Sequence, residues 1–349
     1  MQPYAPTTPR PTNARSGVAW LRIVVALVMA LLLAFVAAEL WLRWNAPAES
    51  RLPFDEDPSS RVHIAATTPG LSYELGAHRT SNFLGVEVRT NSRGLRDNEA
   101  RTPRAPRVVA ALGDSITFGW SVGQEDAWPQ ALERLLQAQQ PTEVDNYGVS
   151  GYSTRDQLAV LEAKVLPTKP DLIVLGFFMN DCEPHGVSPL HLAFRKDSWF
   201  AHSMLYERLV RAGRKAELRK YQGSLYRWVT DPDGPNWQAW LSVVERFAEA
   251  CRAADVPVLV AVFPAFWSYD DFAQYPWSAV HTQVVQAFEA RGLPAFDLVP
   301  YFAAAGLTAA SAKVDDEHPN ARGHAVAAQA IAEQLRQRGL WPANEEAPK

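Results

Sequence analysis

The sequence predicts an α/β domain built on a parallel sheet with helices on both faces, behind one membrane-spanning helix. Three observations carry that prediction. Short, solidly apolar runs stop abruptly at small polar turns, as in "VVAALGDS". Segments with helical spacing alternate with those runs. Strands without apolar/polar alternation are buried on both faces, the condition of a parallel sheet between helix layers. The third observation is a long apolar stretch standing alone near the N-terminus.

The 349 residues are 47% hydrophobic and 21% charged, ordinary proportions for one large domain or two small ones. The formal net charge is −4 and no long basic tract stands out, which argues against nucleic acid as a partner. Cys182 and Cys251 are too few for a disulfide framework or a Cys-rich metal site. They read as one disulfide or as two buried thiols. Twelve Trp suit carbohydrate or membrane-interface contacts and, more commonly, plain packing.

Residues 18–42 read "VAWLRIVVALVMALLLAFVAAELWL". With its flanks, the apolar part from Ile23 to Ala38 approaches the roughly 20 residues that cross a bilayer. Arg10, Arg15 and Arg22 lie on its N-terminal side, and no acidic residue precedes Glu39. The positive-inside rule then puts the N-terminus in the cytoplasm and the chain after Trp44 outside it. Val36-Ala37-Ala38 offers a cleavage site, so a removed signal peptide is the competing reading. The length of the apolar core and of the charged flank favours an uncleaved signal anchor in the inner (cytoplasmic) membrane, with a periplasmic catalytic domain.

The chain divides into a cytoplasmic tail (1–17), the anchor (18–42), a linker and short β lead-in (43–106), the main domain (107–340) and a C-terminal tail (341–349). In the lead-in, "GLSYELG" and "GVEVRTNSRGLRD" read as strands. In the main domain, "RVVAALGDS" is a short apolar run ending in turn residues and 127–140 is a helix. "TEVDNYGVSGYST" is a strand running into a glycine-containing loop, 154–166 is a helix, and 170–181 is a strand ending in Asn-Asp. Helix 237–254, strand 256–264, helix 277–292, strand 293–299 and helix 320–339 follow. The insertion 182–235 is irregular or helical. Its stretch 198–228 holds a basic, partly amphipathic helix with Trp199, Phe200, Leu205 and Leu209. A lid touching the membrane and a solvated helix packed on the domain are both open.

Ligands of open parallel sheets bind beyond the carboxyl ends of the strands. Four polar tips fall there: Gly113-Asp114-Ser115, the Gly148–Gly151 loop, Asn180-Asp181, and "VDDEHPNARGH" before the last helix. Ser115 is a weak nucleophile unless a base takes its proton, and His318 is the candidate base. Asp315, three residues earlier, can hold one imidazole nitrogen and leave the other for Ser115. The backbone N–H groups of Ser115 and Gly151 and the Asn180 amide can meet a developing oxyanion. Alone, each residue has an ordinary alternative: a helix-capping serine, a turn glycine, a capping Asn-Asp, a surface histidine. Their order along the chain favours catalysis.

These four blocks, "GDSITFG", "NYGVSGYS", "FFMND" and "DDEHPNARGH", resemble those of the SGNH (GDSL) hydrolases over roughly residues 105–338. The resemblance implies a flavodoxin-like three-layer α/β/α sandwich. It implies Ser115 as nucleophile, His318 as base, Asp315 as its orienting carboxylate, and an oxyanion hole of Ser115, Gly151 and Asn180. "VRTNSRGLRD" after a single anchor is similar to the lead-in of membrane-tethered bacterial members. The asparagine block departs from the usual Gly-x-Asn-Asp, because Phe178 stands where the glycine is expected. The function this implies is an extracytoplasmic serine esterase acting on acyl groups, O-acetyl first, of a cell-envelope glycan. An O-acyltransferase and a lipid-ester hydrolase are the alternatives. No cofactor or metal is called for. His185 with His191 and His318 with His324 lack the spacing of a helical zinc site, and "DPDGPNW" lacks the acidic ligands of a calcium loop.

Overall fold

The computed structural model describes residues 14–45, 61–83, 85–184, 188–194, 203–222, 224–267, 269–315 and 317–341. Most of the predicted tails, part of the linker, His185, Trp199 and Phe200 lie outside the described residues. The N-terminal stretch is one helix, α1 (Ala14–Asn45), and Ala19–Asn45 is long and apolar enough to cross a membrane.

Among the described residues, nine strands follow. The lead-in forms two antiparallel pairs: β1 (His63–Ala65) with β2 (Tyr73–Leu75), and β3 (Thr80–Phe83) with β4 (Val86–Arg89). The main sheet has five strands: β5 (Arg107–Gly113), β6 (Thr142–Asn146), β7 (Leu172–Phe177), β8 (Val258–Val262) and β9 (Ala295–Asp297). Their order is β6-β5-β7-β8-β9, with every pairing parallel. This is the 2-1-3-4-5 order of flavodoxin-like sheets, whose switch point lies between the first and third strands. Here those are β5 and β7, and the Ser115 and Asn180 turns leave their carboxyl ends.

The apolar strand residues divide between two cores. Ala110, Leu112, Ile173 and Leu175 face one, with Val244 and Phe247 from the helix layer. Val109, Ala111, Leu172 and Val174 face the other, with Leu132 and Ile331. Neither side of the sheet meets water, so no polar residue interrupts these runs.

The helices are α2 (Ser115–Phe118), α3 (Trp128–Gln137), α4 (Thr154–Val160), α5 (Pro189–Phe194), α6 (Met204–Lys220) and α7 (Leu225–Val229). Then come α8 (Pro235–Ala253), α9 (Ser278–Glu289), α10 (Val299–Ala304), α11 (Ala309–Ala312) and α12 (Ala321–Gln337). The predicted helix over 154–166 is α4 followed by a π turn (Leu161–Val165) and a 3-10 turn (Leu166–Thr168). Pro167, which lacks an N–H, lies where the regular helix has already ended. The basic insertion helix is α6. Glu39 of α1 accepts bonds from the Met204 and Leu205 N–H groups at its start.

The lead-in packs into the sheet's own core: Val62, Tyr73, Phe83, Val88 and Leu95 are buried with Ala110 and Leu112. Arg93 forks onto both oxygens of Asp145 on β6, at 2.8 and 2.5 Å. Arg96, fully buried, donates to the carbonyls of Phe118 (2.8 Å), Gly119 and Val122 (2.7 Å). Those are the C-terminal carbonyls of α2 and the turn after it, groups with no intrahelical partner.

Candidate active site

Strand β5 passes directly into α2 through Gly113-Asp114-Ser115. A Cβ on Gly113 would meet Thr117 Oγ1 at 2.1 Å and the Gly176 carbonyl at 2.7 Å, so only glycine fits this crossing. Asp114 caps the turn, its carboxylate accepting the Ile116 N–H at 2.9 Å. Ser115 opens α2 at the carboxyl edge of the sheet.

His318 Nε2 lies 2.8 Å from Ser115 Oγ. On the other side of the ring, Nδ1 lies 2.8 and 2.9 Å from the two Asp315 oxygens. With Nδ1–H donating to the carboxylate, the Nε2 lone pair faces the serine hydroxyl, the tautomer that this network assigns. Asp315 Oδ1 also accepts the N–H groups of Glu317 and His318, at 2.8 and 2.9 Å. The loop therefore holds its own carboxylate in place. Burial pushes the Asp315 pKa up, but the hydrogen bond and charge of His318 outweigh that and hold it below the ordinary value. Trp120, whose ring centroid is 5.7 Å from that of His318, covers the imidazole.

Gly151 and Asn180 line one small cavity of about 40 Å³, with Ser153, Glu183 and Ser188. Among the described residues, no protein atom accepts the N–H of Ser115 or of Gly151. Gly148 is packed differently, since a Cβ there would strike the Phe118 nitrogen at 2.3 Å. The Asn180 amide lies close enough to the Asp114 carboxylate to help stabilise its charge. An amide NH₂ carries two donors, so Asn180 can serve Asp114 with one N–H and keep a second. Beneath lie two fully buried carboxyl groups, Asp114 and Asp181, both with pKa values raised chiefly by burial. Phe178, the departure from the usual block, has extended backbone and a buried ring packed edge-on to Tyr226 at 5.8 Å. The position uses a large apolar side chain and has no need of a glycine.

The structure thus joins Ser115, His318 and Asp315 by hydrogen bonds and sets Gly151 and Asn180 on one neighbouring cavity. Asp114, part of the "GDS" tip itself, serves as capping group. Two others surround the site without a sequence signal: Trp120 over the imidazole, and Tyr226, whose hydroxyl donates to Glu317 at 2.6 Å. A Gly-x-Ser-x-Gly spacing, the serine-hydrolase elbow pattern, also occurs at Gly119–Gly123. It follows a helix and not a strand, and Ser121 Oγ has no hydrogen-bond partner, so no base serves it.

His324 lies outside the arrangement, and His191, which lines the same cavity as Gly151 and Asn180, takes no part in the Ser115–His318–Asp315 network. His191 is buried between Ser188 and Asp156, and His324 Nδ1 accepts the Trp128 N–H at 3.2 Å. Among the described residues, no group of three or more His, Cys, Asp or Glu is placed to hold a metal ion. Cys182 and Cys251 are both free and buried. Burial pushes the Cys251 thiol up to about 12.

Comparison with known proteins gives a consistent picture. A family model described as GDSL-like lipase/acylhydrolase matches residues 111–326. An arylesterase of Vibrio mimicus is 33% identical over 79 residues, 22% of this chain and 40% of that protein. The chain thus spans two fifths of the length of this curated relative. Among solved structures, an acetylxylan esterase from Geobacillus stearothermophilus is 17% identical with a TM-score of 0.42, covering 67% of this chain and 95% of that one. A two-domain esterase active on acetylated mannans is 16% identical with a TM-score of 0.40, covering 70% and 52%.

Proposed function

Because this chain belongs to the GDSL-like lipase/acylhydrolase family, we propose that it is a membrane-anchored serine esterase that removes O-acetyl groups from a cell-envelope glycan through an acyl-enzyme. The observation that carries the reading is the 2.8 Å approach of His318 Nε2 to Ser115 Oγ, with Asp315 on the opposite nitrogen.

Ser115 Oγ attacks the ester carbonyl carbon while His318 Nε2 takes its proton. Asp315 stabilises the imidazolium without itself becoming protonated. The tetrahedral oxyanion is met by the Ser115 and Gly151 N–H groups and the second Asn180 N–H. Each such donor contributes about 100- to 1,000-fold in rate. Collapse expels the alcohol, which receives the proton from His318. Water, deprotonated by His318, then attacks the acyl-enzyme in the same way and releases the acid.

Two features support an envelope glycan as substrate. Helix α1 tethers the domain to a membrane, and its basic flank favours an inner-membrane anchor with the domain on the periplasmic side. Beside the His318 loop, Tyr226 stacks on half-buried Trp267 at 4.6 Å, with Trp277 5.9 Å beyond. Aromatic faces of this kind suit the apolar faces of sugar rings.

The test uses the full chain in detergent micelles. Ser115→Ala and His318→Ala are expected to abolish hydrolysis of p-nitrophenyl acetate, and a fluorophosphonate to label Ser115. Unchanged turnover in either variant refutes the assignment. A preference for long-chain esters over acetate moves the substrate to lipids, and diversion of acyl groups to an added glycan makes the enzyme a transferase.

A further inference from the structure

The loop that carries Gly151 is held at every residue around it. Tyr73, a fully buried residue of β2, donates its hydroxyl to the Ser150 carbonyl at 2.7 Å. Tyr152 returns the contact, donating to the Tyr73 carbonyl at 2.7 Å. Asp156 Oδ2 accepts both the N–H and the hydroxyl of Ser153, at 2.9 and 2.8 Å.

The Ser150 carbonyl and the Gly151 N–H belong to one peptide unit. That unit is planar and trans, with its C=O and N–H directed oppositely. Whatever fixes the oxygen therefore fixes the direction of the N–H. An anchor matters here because Gly151 has φ +79, and glycine allows the preceding peptide to rotate at little cost. A donor on the carbonyl also polarises the amide and strengthens its N–H as a donor.

We propose that Tyr73 is a positioning residue of the oxyanion hole, its hydroxyl holding the Ser150–Gly151 peptide so that the Gly151 N–H is aimed and polarised for the oxyanion. This rests on the reading of Gly151 as an oxyanion donor. Tyr73 comes from the lead-in, outside residues 111–326 that match the family. The fit is close, since a Cβ on Gly151 would come within 2.8 Å of the Tyr73 hydroxyl. Burial, then the charge of Asp156, hold the Tyr73 pKa well above its ordinary value, so the hydroxyl stays a neutral donor.

Tyr73→Phe keeps the ring and removes only the donor. In the full chain, kcat for p-nitrophenyl acetate is expected to fall about 10- to 100-fold, less than losing an oxyanion donor outright. KM should stay within about twofold, and fluorophosphonate labelling of Ser115 should slow in parallel with kcat. Fluorotyrosines at position 73, close to isosteric with tyrosine, give the second measurement: kcat should vary with the acidity of the hydroxyl. Wild-type kcat in Tyr73→Phe, a loss confined to Tm, or a flat fluorotyrosine series each overturns the proposal. Wild-type protein labelled at Ser115 keeps the esterase reading standing in all those cases. Wild-type protein that is never labelled overturns that reading and this inference together.

Discussion

His324, which takes no part in the chemistry, should contribute a loss of stability in mild acid. His324 is fully buried in the first turns of α12, with Nδ1 accepting the Trp128 N–H at the start of α3. Burial, and then the charges of His318 and Arg96, lower its pKa to about 3. An unfolded chain binds this proton below about 6.5. Between about 6.5 and about 3 the unfolded state therefore binds this proton more readily, and the contribution of His324 to stability falls as pH falls. One such group costs about 2 kcal/mol on going from pH 7 to 5, and roughly 3 kcal/mol by pH 4. Protonation would also turn Nδ1 into a donor facing a donor, near a helix N-terminus that disfavours positive charge. The assay is the urea midpoint, followed by Trp fluorescence at pH 7, 6 and 5. His324→Asn removes the titrating group while keeping an acceptor at the place of Nδ1. The variant should be weaker at pH 7, by about 1–3 kcal/mol for the lost packing, yet lose about 2 kcal/mol less than wild type by pH 5. An equal acid loss in variant and wild type would refute the reasoning.

Asp315→Asn should leave His318 without its anionic partner and lower kcat for p-nitrophenyl acetate about 1,000-fold or more, with KM little changed. Asn180→Ala takes away a proposed oxyanion donor, and kcat should fall about 100- to 1,000-fold in the same assay. Arg96→Met takes the donor from three buried carbonyls and should cost about 3 kcal/mol or more, seen as a lowered urea midpoint. Trp267→Ala should raise KM for an acetylated oligosaccharide several-fold while leaving KM for p-nitrophenyl acetate unchanged, if this face holds sugar.

The parallel sheet was legible because β5, β7 and β8 are apolar on both faces and the helices keep their period. β1 and β3 were not, being three- and four-residue strands whose partners, and not their own pattern, make them strands. Ser115, Asp315 and His318 could be found because the turn after β5 and the three-residue spacing before His318 are local facts of the chain. Tyr73, Trp120 and Tyr226 could not, because each reaches the site only through tertiary packing. The run "NSRGLRD" could be read as a motif but not understood. Asn91 bonds the Arg93 and Leu95 N–H groups to form its turn. Arg96 then reaches α2, and Asp97 accepts the Asn146 N–H. The partners of Arg96 and Asp97 are not near in sequence.

The buried guanidinium of Arg96 bears on how this enzyme can be cut. The region that matches the family begins at residue 111, fifteen positions after the side chain that secures the turn behind Ser115. A gene trimmed to that recognisable region would delete the clamp along with Tyr73 and the apolar residues packed under the sheet. Its failure to give soluble protein would report on the trimming and not on the enzyme. The unit that evolution makes visible is here smaller than the unit that can fold, and a soluble version should be sought by removing α1 alone.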